Sequence, residues 1–269
     1  MKTLKLDERS EKIYRWLSPP DPSTNFINAL KQRQKGSGLW FLKGDTFAKW
    51  KTRRNSFLWL HGIPGCGKTI LSSTIVDELQ TSLSSRTLLY FYFDFNDNRK
   101  QTLDSTIRSL ISQLYHLSDV NFKLLESLFS SCEAGRHQPS CESLHKVLLQ
   151  IIEEVKEVWI VLDALDECRT RRGPPTEGLL SWLKDLLNSE QRNIHLLVTS
   201  RPEQDIKSAI SELACNDDII SIQSELISDD IHAYVHTRVR EDDGLKRWRS
   251  KPKIQDEIVT VLTAKAGGM

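Results

Sequence analysis

The sequence predicts an α/β fold: a mostly parallel sheet with helices on both faces. Three observations carry that prediction. Short apolar runs alternate with helical segments along most of the 269 residues. One such run, Phe57-Leu58-Trp59-Leu60-His61, leads directly into Gly62-Ile63-Pro64-Gly65-Cys66-Gly67-Lys68-Thr69. That octapeptide meets every required position of G-x-x-x-x-G-K-[ST] and precedes a helical segment, the setting in which this loop forms. Two further apolar runs, 158–162 and 194–199, end in the polar tips Asp163-Ala164-Leu165-Asp166-Glu167 and Ser200-Arg201-Pro202. Parallel strands buried on both faces read as unbroken apolar runs of this kind.

Each element follows in order. Ser10 to Leu17 reads as a helix, broken by three prolines within 18–23. Asn25 to Arg33 is helical. Gly36-Ser37-Gly38 reads as a flexible break before Leu39-Trp40-Phe41-Leu42, and Phe47 to Trp50 closes another short helix. Trp40 and Trp50 read as packing anchors. After the glycine-rich loop, Ile70 to Leu79 is a helix and Leu88 to Phe95 an aromatic-rich strand. Gln101 to Tyr115 places Leu103, Ile107, Leu110, Ile111 and Leu114 on one helical face. Phe122 to Phe129 and Leu144 to Val155 repeat that spacing. The charged stretch Arg169 to Pro175 reads as a solvated loop. Helices follow at Glu177 to Leu187 and Glu203 to Leu213, with a last strand at Asp218 to Ile222. Ser228 to Arg240 reads as a helix with Ser228 at its N-cap and Asp229 and Asp230 in its first turn. Ile254 to Ala266 completes the set. This divides the chain into a helical lead-in (1–55), a core (56–225) and the start of a helical domain (226–269).

The loop supplies chemistry. Its glycines let successive N–H groups turn toward phosphate oxygens, and the following helix offers its positive N-terminus to them. Lys68 would reach the β- and γ-phosphates and Thr69 would ligate Mg²⁺. Asp163, at a strand's C-terminal end, falls where open α/β sheets place ligands and is the expected second metal partner. Asp166 and Glu167 are candidates for polarising an attacking water. Arg201, at the tip of the next strand, is placed to sense or neutralise a γ-phosphate.

Composition narrows the class. With 37 basic and 36 acidic residues the net charge is +1, so no nucleic-acid partner is expected. No run of apolar residues reaches membrane-spanning length, and the N-terminus lacks a secretory apolar region. Five cysteines without dense spacing fit a reducing compartment, so a cytoplasmic location is expected. Cys132, His137, Cys141 and His145 have an uncommon spacing for zinc and read as part of an interhelical loop.

Together the motifs resemble the NACHT class of signal-transducing P-loop NTPases, in the version found in fungal incompatibility-type and nephrocystin-like proteins. Trp16-Leu17-Ser18-Pro19-Pro20-Asp21-Pro22, Gly38 to Leu42, the loop with its lead-in strand, Leu162 to Cys168 and Thr199-Ser200-Arg201-Pro202 carry the resemblance. It implies an AAA-like five-stranded parallel sheet, with the Arg201 strand between the loop strand and the Asp163 strand. It implies a nucleotide switch: ATP, with GTP not excluded, and Mg²⁺ as ligands, slow hydrolysis, and homo-oligomerisation in full-length members. The effector, winged-helix and repeat regions of such proteins are missing, so the chain reads as a truncated product or fragment. A degenerate module that binds nucleotide without switching or hydrolysis, a P-loop phosphotransferase and a nucleic-acid-stimulated ATPase are the alternatives. For a phosphotransferase lid, Arg169, Arg171 and Arg172 are the only candidates.

Overall fold

Alternation along the strands sets the layers. Phe57 and Trp59 join one apolar cluster, whereas Leu58 and Leu60 join the other. Val158, Ile160 and Leu162 likewise face opposite to Trp159 and Val161, and Leu196 and Val198 opposite to Leu197. A strand that is apolar at every position therefore buries both faces.

A computed structural model describes residues 2–82, 87–115, 123–155, 157–188 and 193–266. The lead-in comprises α1 (Lys2–Leu17), α2 (Ser23–Gln32), α3 (Leu39–Leu42) and α4 (Asp45–Thr52). Then come β1 (Ser56–His61), α5 (Lys68–Ser82), β2 (Thr87–Tyr92), α6 (Leu103–Tyr115), α7 (Lys123–Ser131) and α8 (Cys141–Glu154). β3 (Val158–Asp163), α9 (Leu179–Leu187), β4 (Ile194–Ser200), α10 (Gln204–Ser211) and β5 (Ile219–Ser221) complete the α/β region. α11 (Ser224–Glu241) and α12 (Pro252–Ala266) follow. Phe122, the expected start of the α7 helix, and Gly267-Gly268-Met269 lie outside the described residues.

The sheet has five strands in the order β2-β3-β4-β1-β5, all paired in parallel. β4 lies between the loop strand β1 and the acid-tipped strand β3, as the resemblance implied. One face is covered by α5 together with Phe26, Phe41, Phe47 and Trp50 of the lead-in. The other is covered by residues of α1 and α6 to α10. Trp50 is fully packed and its indole N–H donates to the Leu196 carbonyl at 3.1 Å, so it is the anchor the sequence suggested.

Three expectations need correction. α11 begins at Ser224, with Gln223 extended at its N-cap, so Ser228 lies inside the helix and not at its start. Two Ser-acid starts occur four residues apart, and the apolar Ile227 between them continues the buried face, so the earlier start wins. Gly36-Ser37-Gly38 is not a loose break. Gly36 and Gly38 have φ of +92° and +80°, and the buried Gly38 N–H donates to the Asp230 carboxylate at 2.8 Å. The strand expected to Phe95 ends at Tyr92, because the chain turns there to place Phe95 beside Glu167. No helix among the described residues is long and apolar enough to cross a membrane.

Candidate functional site

The glycine-rich loop leaves the end of β1 and runs into α5. Gly62 is tightly packed: a Cβ there would meet Cys66 Sγ at 2.6 Å. Gly65 and Gly67 differ. Both have positive φ, +82° and +84°, and nothing lies within 4 Å of where a Cβ would point. Glycine is required there by conformation, and the space over the loop is open. Ile63, Pro64, Gly65 and Gly67 are exposed, whereas Cys66 is buried. Lys68 folds across the loop and its ammonium donates to the Gly62 and Ile63 carbonyls at 2.8 and 2.9 Å.

The acid-tipped strand meets the loop as its position in the sheet dictates. Asp163 is 2 % exposed. Its carboxylate accepts from Thr69 Oγ1 and Thr199 Oγ1, each at 2.7 Å. Burial pushes its pKa above the ordinary aspartate range, while the two hydroxyls and Lys68 pull the other way. A buried carboxylate beside a threonine hydroxyl is an oxygen-donor pair of the kind a hard divalent cation takes. Asp163, Thr69, the open cradle of Gly65 and Gly67, and Lys68 thus fit a Mg²⁺-bound phosphate chain.

Beyond Asp163 the chain turns sharply. Ala164 is left-handed, with φ +59° and ψ +52°, and its N–H donates to Thr199 Oγ1 at 3.0 Å. That turn carries Asp166 and Glu167 in opposite situations. Asp166 Oδ1 accepts the Arg201 backbone N–H at 2.8 Å, and its Oδ2 lies 3.2 Å from Arg201 Nε. Glu167 Oε2 accepts the Phe95 N–H at 2.8 Å. Burial pushes the Glu167 pKa up, and Asp166, Asp94 and Asp163 add to that rise against the Phe95 bond. Gln101 steadies the Phe95 loop by donating to the carbonyls of Asp94 and Phe95.

The arginine-rich loop is not simply solvated. Arg171 donates to the Asp166 carbonyl at 2.6 Å and pairs with Glu203 and Asp205 at 2.7 and 3.2 Å. It spans three segments as a strut, whereas Arg172 is exposed and only 3.6 Å from Asp205. The cysteine–histidine set does not gather. His145 is buried and 3.3 Å from Asp185, while His137 lies by Glu133 at 3.6 Å. Among the described residues no group of three or more His, Cys, Asp or Glu side chains is arranged to hold a metal.

Sequence reasoning missed one part. A cavity of about 400 Å³ opens beside the loop, lined by Trp40, Ile63, Ile70, Ile227, Ile231 and Tyr234 among others. Trp40, read as a packing anchor, is only half-buried and forms one wall. Ile227, Ile231 and Tyr234 fall on one face of α11 at helical spacing. That apolar stripe was the available signal, and it is the usual mark of a core-facing helix. Asp230 on the same helix ties the cavity's rim to Gly38.

Residues 36–201 match the sequence family described as Nephrocystin 3, N-terminal. The chain is also 26% identical over 217 residues to the vegetative incompatibility protein HET-E-1 of Podospora anserina. That similarity covers 76% of this chain and 15% of the relative, so the chain spans a small part of that protein's length.

Proposed function

We infer that this chain, which belongs to the Nephrocystin 3, N-terminal family and is of NACHT type, binds a nucleoside triphosphate with Mg²⁺ and acts as a switch domain with slow hydrolysis. The observation that carries this is the Thr69–Asp163 hydrogen bond at 2.7 Å under an open glycine cradle spanned by Lys68. Lys68 would exchange the Gly62 and Ile63 carbonyls for phosphate oxygens, and the N-terminus of α5 would add its N–H groups. Thr69 and Asp163 would hold the cation, which supplies neutralisation of phosphate charge. Glu167, with its raised pKa, is the group proposed to accept a proton from water. The apolar cavity beside the loop would take the base, with Trp40 and Tyr234 as its aromatic walls. ATP is preferred to GTP on the family resemblance alone.

A phosphotransferase is disfavoured because Arg171, the central lid candidate, is bound to Asp166, Glu203 and Asp205. The test is a titration with fluorescent ATP, ADP and GTP, with and without Mg²⁺, using Lys68→Ala as control. Binding that needs Lys68 is expected. Wild-type affinity in Lys68→Ala would sink the assignment.

A further inference from the structure

We propose that Asp166 is a positioning residue: it fixes the Arg201 guanidinium for an anionic ligand and does not itself activate water. This rests on the nucleotide-binding reading above. Asp166 is joined to Arg201 twice, through the backbone N–H at 2.8 Å and through Nε at 3.2 Å. The Asp166 side chain is 4% exposed and that of Arg201 46%. The anchoring end of the pair is thus desolvated and the cationic end is open. Using Nε as the anchor leaves the two terminal nitrogens, the forked face of the guanidinium, to meet terminal phosphate oxygens.

The pair is also held from behind. Asp166 sits in the 165–167 turn, entered through left-handed Ala164, whose N–H is bound by Thr199 of β4. Its carbonyl accepts from Arg171, and Arg171 grips Glu203 and Asp205, just after Arg201-Pro202. A closed ring therefore runs from the tip of β3 to the tip of β4 and back. An exposed ion pair between flexible side chains fixes little. Here one partner is a backbone amide at a strand end, so the sheet itself sets the geometry. Both Asp166 oxygens serve Arg201, whereas Glu167 comes from the same turn with one oxygen on Phe95 and a raised pKa. The two acids divide the work: Asp166 orients the cation and Glu167 faces the proton transfer.

The experiment measures ATP and ADP affinity, single-turnover hydrolysis and thermal stability for wild type, Asp166→Asn, Arg201→Ala and the double variant. Asp166→Asn is expected to weaken ATP by roughly tenfold, the size of one charge-assisted hydrogen bond, and to leave ADP nearly unchanged. The double variant should lose no more ATP preference than Arg201→Ala alone, because Asp166 acts through Arg201. If Asp166→Asn slows hydrolysis but keeps the ATP preference, or if the two losses add, the proposal is overturned. Equal weakening of ATP and ADP with reduced stability would mark a structural role only and also overturn it. Should Asp166→Asn fail to fold, Asp166→Glu, which keeps the charge, must retain the ATP preference for the proposal to stand. A wild-type chain that binds no nucleotide would instead remove the functional reading on which this one rests.

Discussion

Replacing Gly38 by alanine tests whether the turn at 36–39 is a fixed part of the cavity. Gly38 has φ +80°, and a Cβ there would stand 3.0 Å from Leu71 Cδ1 and 3.5 Å from Thr74 Cγ2. The left-handed conformation costs an L-residue about 1–2 kcal/mol. Alanine recovers roughly 0.4–1 kcal/mol by restricting the unfolded chain. The Leu71 contact adds a further cost, kept below about 1 kcal/mol because the touching atom is the end of a side chain that can shift. The net expectation is a loss of about 1 kcal/mol, a fall in Tm of roughly 2–3 °C for a chain of this size. Leu71 lies on α5 and lines the same cavity, so the displaced methyl also narrows the space proposed for the base. Nucleotide affinity should drop by roughly fivefold, which is again about 1 kcal/mol. Thermal unfolding followed by circular dichroism, with fluorescent nucleotide titration of the same samples, reads both. A Tm that is unchanged or raised would refute the fixed left-handed turn. A lowered Tm with unaltered affinity would refute the cavity as the seat of the base.

Two further outcomes test the acids. Glu167→Gln should keep nucleotide affinity within about twofold and slow single-turnover hydrolysis by roughly a hundredfold. In the wild type the rate should fall as pH drops through the raised Glu167 pKa, and that limb should vanish in the variant. Burial raises the folded-state pKa of Asp163, so ionising it opposes folding; the penalty is absent below the ordinary value of 3.8 and grows as pH rises from there to the raised value. Asp163→Asn should therefore be more stable than the ligand-free wild type at neutral pH, with the gap closing toward acid, and should lose Mg²⁺-dependent nucleotide binding. A wild type that outlasts the variant at neutral pH in a thermal melt would contradict this.

Much of this arrangement was legible because it is local. The strand, loop and helix around Lys68 are contiguous, and the apolar runs ending at Asp163 and Ser200 announce buried parallel strands. Their lateral order came from family resemblance, since nothing in Ile194 to Thr199 says which strand it pairs with. What stayed hidden is non-local. Ile227, Ile231 and Tyr234 look the same whether a helix faces a core or a cavity. Arg171 reads as surface charge until the fold brings Glu203 and Asp205 to it, 32 and 34 positions on in the chain. The glycines at 36 and 38 signal a break, but only Asp230, 192 residues from Gly38, turns that break into a pinned turn.

The position of β1 in the sheet also has a consequence for synthesis. Its two neighbours, β4 and β5, are both made much later; Ser56 waits 139 residues for His195. A nascent chain emerges from the N-terminus, so β1 appears with both hydrogen-bonding edges bare. The helices α2 to α4 have by then already left the ribosome, and Phe41, Phe47 and Trp50 stand ready to cover one of its faces. The pairings of β1 with β4 and β5 are thus among the last to close, and such distant pairings fold slowly. In the folded chain the same lead-in residues remain packed against Leu58 and Leu60, so the face that can be covered first is also the one they keep.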